Sequence, residues 1–320
     1  MANTNAAATS WNCPNYTGEL YMIGANQTPF LNMVGGLQGG AIRTVSDMQF
    51  PLAQPWALEA ASQPNITETD SLTAPTPWTY VRGQDVNTCQ IYQRQISVSY
   101  VKQSVVGQIT ADATTKLADI TGTQPIQNEK DFQIAAHMRQ IALNSDYTFL
   151  NGTYAQSTSA AVAARTRGII TACTTNTVGA SSAQLSKALM DQLLRTMAGN
   201  GAEFINPVVF CNAYQKQKLS DIYGYAPQDR NVGGYNITQI ETDFAMLGIV
   251  WAPNVPAATL LIADLSVCSP VFLPVPEKGV LFYEELSRTG ASEKGQIYGQ
   301  IGFDYGPEEY HGTITSLATS

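Results

Sequence analysis

The feature that most constrains the fold of this chain is a helical pattern from Asn128 to Gly152 that is apolar on two sides. At about 100° per residue, one face holds Ile134, Met138, Ile141, Ala142, Ser145 and Phe149, and a nearly opposite face holds Phe132, Leu143, Tyr147 and Leu150. His137 lies in the polar strip between them, which predicts a surface residue rather than a ligand or catalytic group. A helix of about 24 residues spans about 36 Å. Two apolar faces need two packing partners, and one of them can belong to a neighbouring chain.

Composition also favours contact with other chains, because only 13% of the 320 residues are charged, about half the usual share. The hydrophobic fraction of 44% is enough for a sizeable core, in one large domain or two smaller ones. A net charge of -8 and a pI near 4.8, without any basic cluster, argue against binding to nucleic-acid phosphates. If the protein works near DNA, it encloses the DNA rather than gripping it.

The cysteines and the absence of targeting segments indicate an intracellular protein. No two cysteines form a CxxC pair, which favours free and mostly buried thiols in a reducing compartment. The five are Cys13, Cys89, Cys173, Cys211 and Cys268. No stretch approaches the roughly 18 apolar residues of a membrane helix, and the N-terminal sequence MANTNAAATSWNCPN lacks the regions of a signal peptide. These features predict a chain made and used in a cytoplasm, without a membrane partner.

The first third of the chain is predicted to be largely extended. Residues 1–40 are typical of an arm with one short helical turn, at Thr28 to Gly36. Between residues 41 and 107, two extended stretches flank a Pro-rich span. The second stretch, residues 87–107, alternates with strand periodicity and would reach about 60 Å as one strand. A two-stranded ribbon of that length is barely stable alone in water, so we expect it to lie on something.

The remainder combines helices and short strands. Beyond the long helical pattern, an amphipathic helix is predicted from the caps Ser181 and Ser182 to the stop at Gly199 and Gly201. Strand candidates follow in NPVVFCN, NITQIET, LGIVWAP and ATLLIADL. The last 45 residues return to strand, in GVLFYEEL, KGQIYGQIGFDYG and EEYHGTITSL.

A search for catalytic motifs finds none, so we predict no catalytic residue, no cofactor and no metal ligand. The doublets Glu284-Glu285 and Glu308-Glu309 look suited to acid–base work, but consecutive strand residues point to opposite faces, so neither doublet forms a pair by itself. A hydrolase with two carboxylates distant in sequence is the remaining enzymatic alternative. His311, in EEYHGT, is predicted to be structural or to lie at the surface.

Several long segments carry a resemblance to a known family. ALNSDYTFLNG with ARTRGIITAC, and TDFAMLGIVWAPNVPAATLLIADLSVC with PVFLPVPEKGVLFYEEL and TGASEKGQIYGQIGFDYGPEEYHGTITSL, resemble the major capsid proteins of tailed bacteriophages. Encapsulins and herpesvirus capsid floors share that shell fold. The resemblance implies an α+β fold with an N-terminal arm (1–40), an E-loop hairpin (41–107), a peripheral domain with a long spine helix (108–165 and 277–320) and an axial domain (166–276).

The same resemblance implies a non-catalytic structural protein. It would self-assemble into the pentamers and hexamers of an icosahedral phage head that encloses double-stranded DNA without sequence-specific binding. Portal, scaffolding and decoration proteins are the further partners it implies, with assembly in the host bacterial cytoplasm and the virion capsid as final location. An encapsulin-like nanocompartment shell is the alternative within the same fold.

Read through the resemblance, residues in three places are expected to make assembly contacts: the arm, the E-loop and an axial loop near Tyr223 to Tyr235. They are Pro29, Phe30, Leu31, Trp56, Trp78, Tyr80, Arg82, Asp229 and Arg230. The best-known relative links its subunits covalently through an E-loop lysine. Here the first lysine is Lys102, and the E-loop tip region offers only Arg82, a poor nucleophile. We therefore expect non-covalent cohesion.

Overall fold

The structure, a computed structural model, describes residues 27–37, 43–52, 56, 61–80, 83–104, 129–224 and 237–319. The helices in these ranges are α1 (Pro29–Val34), α2 (Glu68–Ser71), α3 (Tyr100–Ser104), α4 (Glu129–Asn151), α5 (Ile169–Ala172), α6 (Lys187–Gly199) and α7 (Ala213–Tyr223). The strands are β1 (Arg43–Thr44), β2 (Gln49–Pro51), β3 (Val86–Thr88), β4 (Gln90–Ser99), β5 (Thr177–Gly179), β6 (Pro207–Cys211), β7 (Gln239–Glu241), β8 (Met246–Trp251), β9 (Leu260–Asp264), β10 (Ser269–Phe272), β11 (Leu281–Leu286), β12 (Ser292–Asp304) and β13 (Gly312–Thr315).

A five-stranded sheet is built around the long strand β12. Its order is β1-β10-β12-β11, and β4 also pairs with β12. β4 runs antiparallel to β12 from Gln90 opposite Ile301 to Ser99 opposite Ser292. The extended stretch is therefore supported, as expected, by a strand from the far end of the chain. The prediction of one strand of about 60 Å is wrong, because β4 ends at Ser99 and α3 begins at Tyr100.

The second sheet has six strands in the order β5-β13-β9-β6-β8-β7, and its central strands β6 and β9 are buried on both faces. All five residues of β6 and all five of β9 are buried, as expected for central strands that are covered on both sides. Val208 and Phe210 face a core shared with the first sheet and α1, whereas Val209 and Cys211 face a core formed with α6 and α7. The two sheets thus share one apolar layer.

The helix α4 occupies the predicted segment and packs mainly through the first of its two apolar faces. Ile141, Ser145 and Phe149 of that face are buried, and the Phe149 ring stacks on Phe303 of β12 with centroids 4.7 Å apart. On the opposite face Leu150 is buried, but the Tyr147 side chain is 57% exposed. The second face is therefore only partly covered within the described part of the subunit.

Two local predictions need correction. α6 begins at Lys187, with Ser186 as its N-cap accepting a hydrogen bond from the Leu189 amide, because Ser181 and Ser182 adopt left-handed φ values of 51° and 65° that a helix start does not use. Glu308 and Glu309 begin a short 3-10 helix, not a strand.

Both sheets contain strands from either side of residue 276, the expected boundary between the axial domain and the C-terminal part of the peripheral domain. β10 pairs with β12, whereas β13 pairs with β5 and β9. The last strand of the chain thus returns to the six-stranded sheet, so that each sheet contains strands from both sides of the boundary. None of the helices in the described ranges has the length and hydrophobicity of a membrane-spanning segment.

Four cysteines lie in the described ranges, and all four are buried and free, as predicted. Burial raises the pKa of the Cys89 thiol to about 12, and that of Cys211 also to about 12. Thiols with such pKa values remain protonated at neutral pH and behave as small apolar side chains. Cys13 lies outside the described residues.

Candidate assembly surface

The most exposed part of the described chain is the segment from residue 61 to residue 80, here called the exposed loop segment. Every residue in it is exposed, yet it carries large apolar side chains. Ile66, Leu72 and Trp78 are 72%, 84% and 69% exposed. Burying an apolar side chain of this size stabilises a folded or assembled state by about 1.5–3 kcal/mol. These side chains are not buried within the subunit, as expected for a surface that another protein covers.

Within this segment α2 is held by local hydrogen bonds alone. The Thr67 hydroxyl accepts a hydrogen bond from the Asp70 amide at 3.1 Å, and the Asp70 carboxylate accepts one from the Thr67 amide at 3.2 Å. This reciprocal arrangement is a capping box. Hydrogen bonds from Thr67 lower the pKa of Asp70. The capping box orders the turn between Ile66 and Leu72 without any buried core beneath it.

Aromatic side chains connect the two legs of the loop between β2 and β3. The rings of Trp56 and Tyr80 meet edge to face, with centroids 6.1 Å apart and planes at 70°. Both side chains remain exposed, Trp56 at 58% and Tyr80 at 46%. Trp78, two residues before Tyr80, is exposed as well. Exposed aromatic side chains of this kind are enriched where one protein contacts another.

The predicted contacts in the arm have a different environment. Phe30 is fully buried, with its ring 5.1 Å from that of Phe210 and 5.6 Å from that of Phe303. Leu31 is also buried, and Pro29 is half-buried. The prediction that Phe30 and Leu31 meet a neighbouring subunit is therefore revised, because their side chains anchor α1 in the core of their own subunit.

A buried carboxylate on α4 also holds α1. The Asp146 carboxylate accepts hydrogen bonds from the Leu31 amide at 2.9 Å and from the Asn254 side chain at 2.7 Å. Thr28, the N-cap of α1, makes no side-chain capping hydrogen bond. Asp146 therefore caps a helix 115 residues away in sequence. Sequence reasoning missed it, because an Asp inside a helical pattern looks like an ordinary surface residue.

The other predicted contacts lie outside the described residues, namely Arg82, Asp229 and Arg230. Exposed apolar side chains that the sequence analysis did not single out lie at the end of the six-stranded sheet. Ile205, Phe244 and Met246 are all exposed there. The sequence did not mark these residues as contact candidates, because single apolar residues at turns are common on protein surfaces.

In the described part of the chain, neither histidine is hydrogen-bonded to a side chain with which it could carry out acid–base catalysis. His311 is fully buried; its Nδ1 accepts a hydrogen bond from the Asp264 amide at 3.2 Å, so its Nε2 donates to the Tyr305 carbonyl at 2.5 Å. Burial lowers the pKa of His311 to about 4, which keeps it neutral. His137 is half-buried, and burial together with the charge of Arg94 lowers its pKa.

The carboxylate doublets are used in structural contacts. Glu284 pairs with Lys278 at 2.5 Å and Glu285 with Lys130 at 2.8 Å. The Glu308 carboxylate accepts hydrogen bonds from the hydroxyls of Thr174 and Thr175 and from the Thr174 amide. Among the described residues, no three His, Cys, Asp or Glu side chains are placed to hold a metal ion.

Comparisons with known proteins agree with this geometry. The family model described as SU10 major capsid protein matches residues 2–318. Among curated proteins, none matches the chain.

Solved structures with the same fold include phage capsids and an encapsulin. The capsid of cyanophage A-1(L) superposes with a TM-score of 0.66 at 11% identity, covering 99% of each chain. The capsid of a native GTA particle gives 0.58 at 12% identity, covering 98% of this chain and 100% of the other. The SrpI encapsulin of Synechococcus elongatus gives 0.57 at 8% identity, covering 98% and 95%. The chain therefore has the fold that phage capsids and encapsulins share.

Proposed function

This chain belongs to the SU10 major capsid protein family, and on that premise we propose that its copies assemble into the pentamers and hexamers of an icosahedral phage head. As a major capsid protein it is a structural component of the virion and not an enzyme. The shell would enclose double-stranded DNA without binding it specifically, which fits a net charge of -8. Assembly in the host cytoplasm, with portal, scaffolding and decoration proteins as further partners, belongs to the same proposal.

The exposed loop segment is the observation that carries the proposal. Trp78, Leu72 and Ile66 are each more than two-thirds exposed in the isolated subunit. If a neighbouring subunit covers all three, apolar burial supplies roughly 5–9 kcal/mol per loop before the cost of ordering the loop is subtracted. Repeated around a closed shell, contacts of this size make assembly favourable.

The proposed assembly contacts are those that remain accessible or outside the described ranges. They are Pro29, Trp56, Trp78, Tyr80, Arg82, Asp229 and Arg230. The division into an arm (1–40), an E-loop (41–107), a peripheral domain (108–165 and 277–320) and an axial domain (166–276) is part of the proposal. β3 and the legs of the loop between β2 and β3 fall within the proposed E-loop.

Replacement of residues 61–80 by a short Gly-Ser linker tests the role of the loop while keeping β2, β3 and the buried residues Phe50, Leu52 and Asn87. We expect a folded subunit that no longer closes shells, because the loop contributes no residue between 61 and 80 to the buried core. Electron microscopy and analytical ultracentrifugation give shell yield, and circular dichroism gives folding. Shells of normal size and yield from the deletion variant would contradict the proposal.

A milder variant pair separates apolar contact from loop geometry. Leu72→Ser with Trp78→Ser removes two exposed apolar side chains of the loop, and Val162→Ser, 42% exposed after the long helix, serves as the control. We expect shell yield to fall in the loop variant alone, with equal melting temperatures of the subunits. Equal shell yields would argue against loop-mediated contact.

An encapsulin-like nanocompartment is the second candidate, favoured by the superposition with the SrpI encapsulin. The contents of native particles distinguish the two. A phage head protects DNA of genome length from nuclease, whereas a nanocompartment holds protein cargo. Native particles that contain a uniform protein and no nuclease-protected DNA would favour the second candidate.

A further inference from the structure

The long loop between β2 and β3 is joined to the subunit by a very short ribbon. β2 and β3 have three residues each and pair antiparallel, with Phe50 opposite Asn87. A two-stranded ribbon is at best marginally stable alone in water. The ribbon by itself therefore does not determine the direction in which the loop leaves the subunit.

One fully buried amide, the side chain of Asn87, connects this ribbon to two other parts of the chain. Its nitrogen donates to the Phe303 carbonyl at 2.7 Å and to the Arg167 carbonyl at 3.2 Å. Its oxygen accepts from the Arg167 amide at 2.8 Å and from the Thr88 amide at 2.9 Å. A side-chain amide has two donor hydrogens and an acceptor oxygen with two lone pairs, and here all four positions are used. Any other orientation would leave buried polar groups unpaired, so the amide is locked in place.

Neighbouring side chains reinforce the same junction. The Thr88 hydroxyl donates to the Arg165 carbonyl at 2.9 Å, and the Thr166 hydroxyl donates to the Thr88 carbonyl at 2.7 Å. Arg167 pairs with Asp85, the residue before β3, at 2.8 Å. The segment 165–167 thus lies beside β3 like a third strand, but side chains rather than a backbone ladder make the connection.

We propose that Asn87 is a positioning residue for shell assembly, setting the angle at which the loop projects toward a neighbouring subunit. The proposal rests on the proposed function, since the angle matters only if the loop makes assembly contacts. A rotation of about 10° at the root displaces a point about 20 Å along an extended leg by about 3.5 Å. A displacement of that size separates side chains that must approach within about 4 Å to pack.

The test replaces Asn87 and compares assembly at equal folding. Asn87→Asp keeps the size and both acceptor positions, but it places an oxygen against the carbonyls of Phe303 and Arg167 in place of two donors. Leu219→Ala, in the buried face of α7 within the other core, is the control for lost stability. At temperatures chosen for equal folded fractions, we expect at least tenfold fewer closed shells from Asn87→Asp than from Leu219→Ala.

A pH series adds a readout that general destabilisation would not produce. Protonation of the carboxyl in Asn87→Asp restores one donor, so acidification should raise its shell yield relative to the intact chain. Asn87→Leu, which has no proton to gain, should show no such recovery. Shell yields of Asn87→Asp equal to those of Leu219→Ala, or equal pH responses of the two Asn87 variants, would overturn the proposal.

Two further outcomes are assigned in advance. If Asn87→Asp does not fold, the deciding variant is Thr166→Val, which removes the hydrogen bond to the Thr88 carbonyl and the longer one to the Ile301 carbonyl. Shells as numerous as those of Leu219→Ala would then reject the proposal. If the deletion of residues 61–80 still forms normal shells, the proposed role of the loop fails. If the deletion abolishes shells while Asn87→Asp matches Leu219→Ala, only the inference about Asn87 fails.

Discussion

Replacing Asp146 by alanine should detach the first turn of α1 from α4. The change removes the acceptor for the Leu31 amide and for the Asn254 side chain. Each buried donor left unpaired costs about 1–3 kcal/mol. Part of this loss is offset, because burial raises the pKa of Asp146 and the charged carboxylate is itself penalised there. We expect a net decrease of about 2–4 kcal/mol in the free energy of unfolding.

The matched control is Thr28→Ala. Loss of an N-cap side chain ordinarily costs about 0.5–2 kcal/mol. Thr28 makes no capping hydrogen bond, but it is buried, so its replacement should cost only the roughly 0.8 kcal/mol of one buried methyl group, less than the cost of Asp146→Ala. The double variant Asp146→Asn with Asn254→Asp exchanges the two groups, restores their hydrogen bond and should be more stable than Asp146→Asn alone.

Urea unfolding of unassembled subunits, with hydrogen exchange at the Leu31 amide, measures these effects. A decrease below about 0.5 kcal/mol for Asp146→Ala, or an equal cost for Thr28→Ala, would refute the capping argument.

The contribution of Asp146 to stability should depend on pH with a defined sign. The folded-state pKa of Asp146 is raised, so its contribution to stability is greatest below the unfolded pKa and falls as pH rises through the folded value. Asp146→Asn should lack that fall.

Three further predictions concern the subunit and the shell. Mature particles boiled in SDS with reductant should give one band near 34.5 kDa. The first lysine of the chain is Lys102, so the tip of the proposed E-loop has no amine that could form a covalent link to another subunit. A ladder of multimers would show that covalent links exist. Burial lowers the pKa of His311 in the folded subunit to about 4, so the unfolded chain binds a proton more readily than the folded one. The free energy of unfolding, measured with urea, should therefore fall by about 3 kcal/mol between about pH 6.5 and pH 4. His311→Gln should remove that loss, and an unchanged slope would contradict it. Substituting Asp229 or Arg230 singly should alter the fraction of well-formed particles in electron micrographs more than the melting temperature, since exposed ion pairs contribute about 0–1 kcal/mol.

Local periodicity in the sequence predicted α4 and most of the short strands. The helical repeat from Asn128 to Gly152 corresponds to a helix from Glu129 to Asn151. The apolar runs NPVVFCN and ATLLIADL contain β6 and β9. These elements were predictable because side-chain repeats of 3.6 and 2 residues record which face is buried. The resemblance of the C-terminal segments then indicated the family.

Only the tertiary structure decided how distant segments meet. No local signal makes β12 the partner of β4, since register depends on closing a loop of roughly two hundred residues and on competition among many β-competent strands. Asn87 and Asp146 look like ordinary polar residues in the sequence, yet both are fully buried with their hydrogen bonds made to segments far along the chain. Phe30 and Leu31 were predicted to contact a neighbouring subunit, but both side chains are buried in the core of their own subunit. Periodicity determines which face of an element is apolar, but the surface that covers this face is determined by the packing of the whole chain.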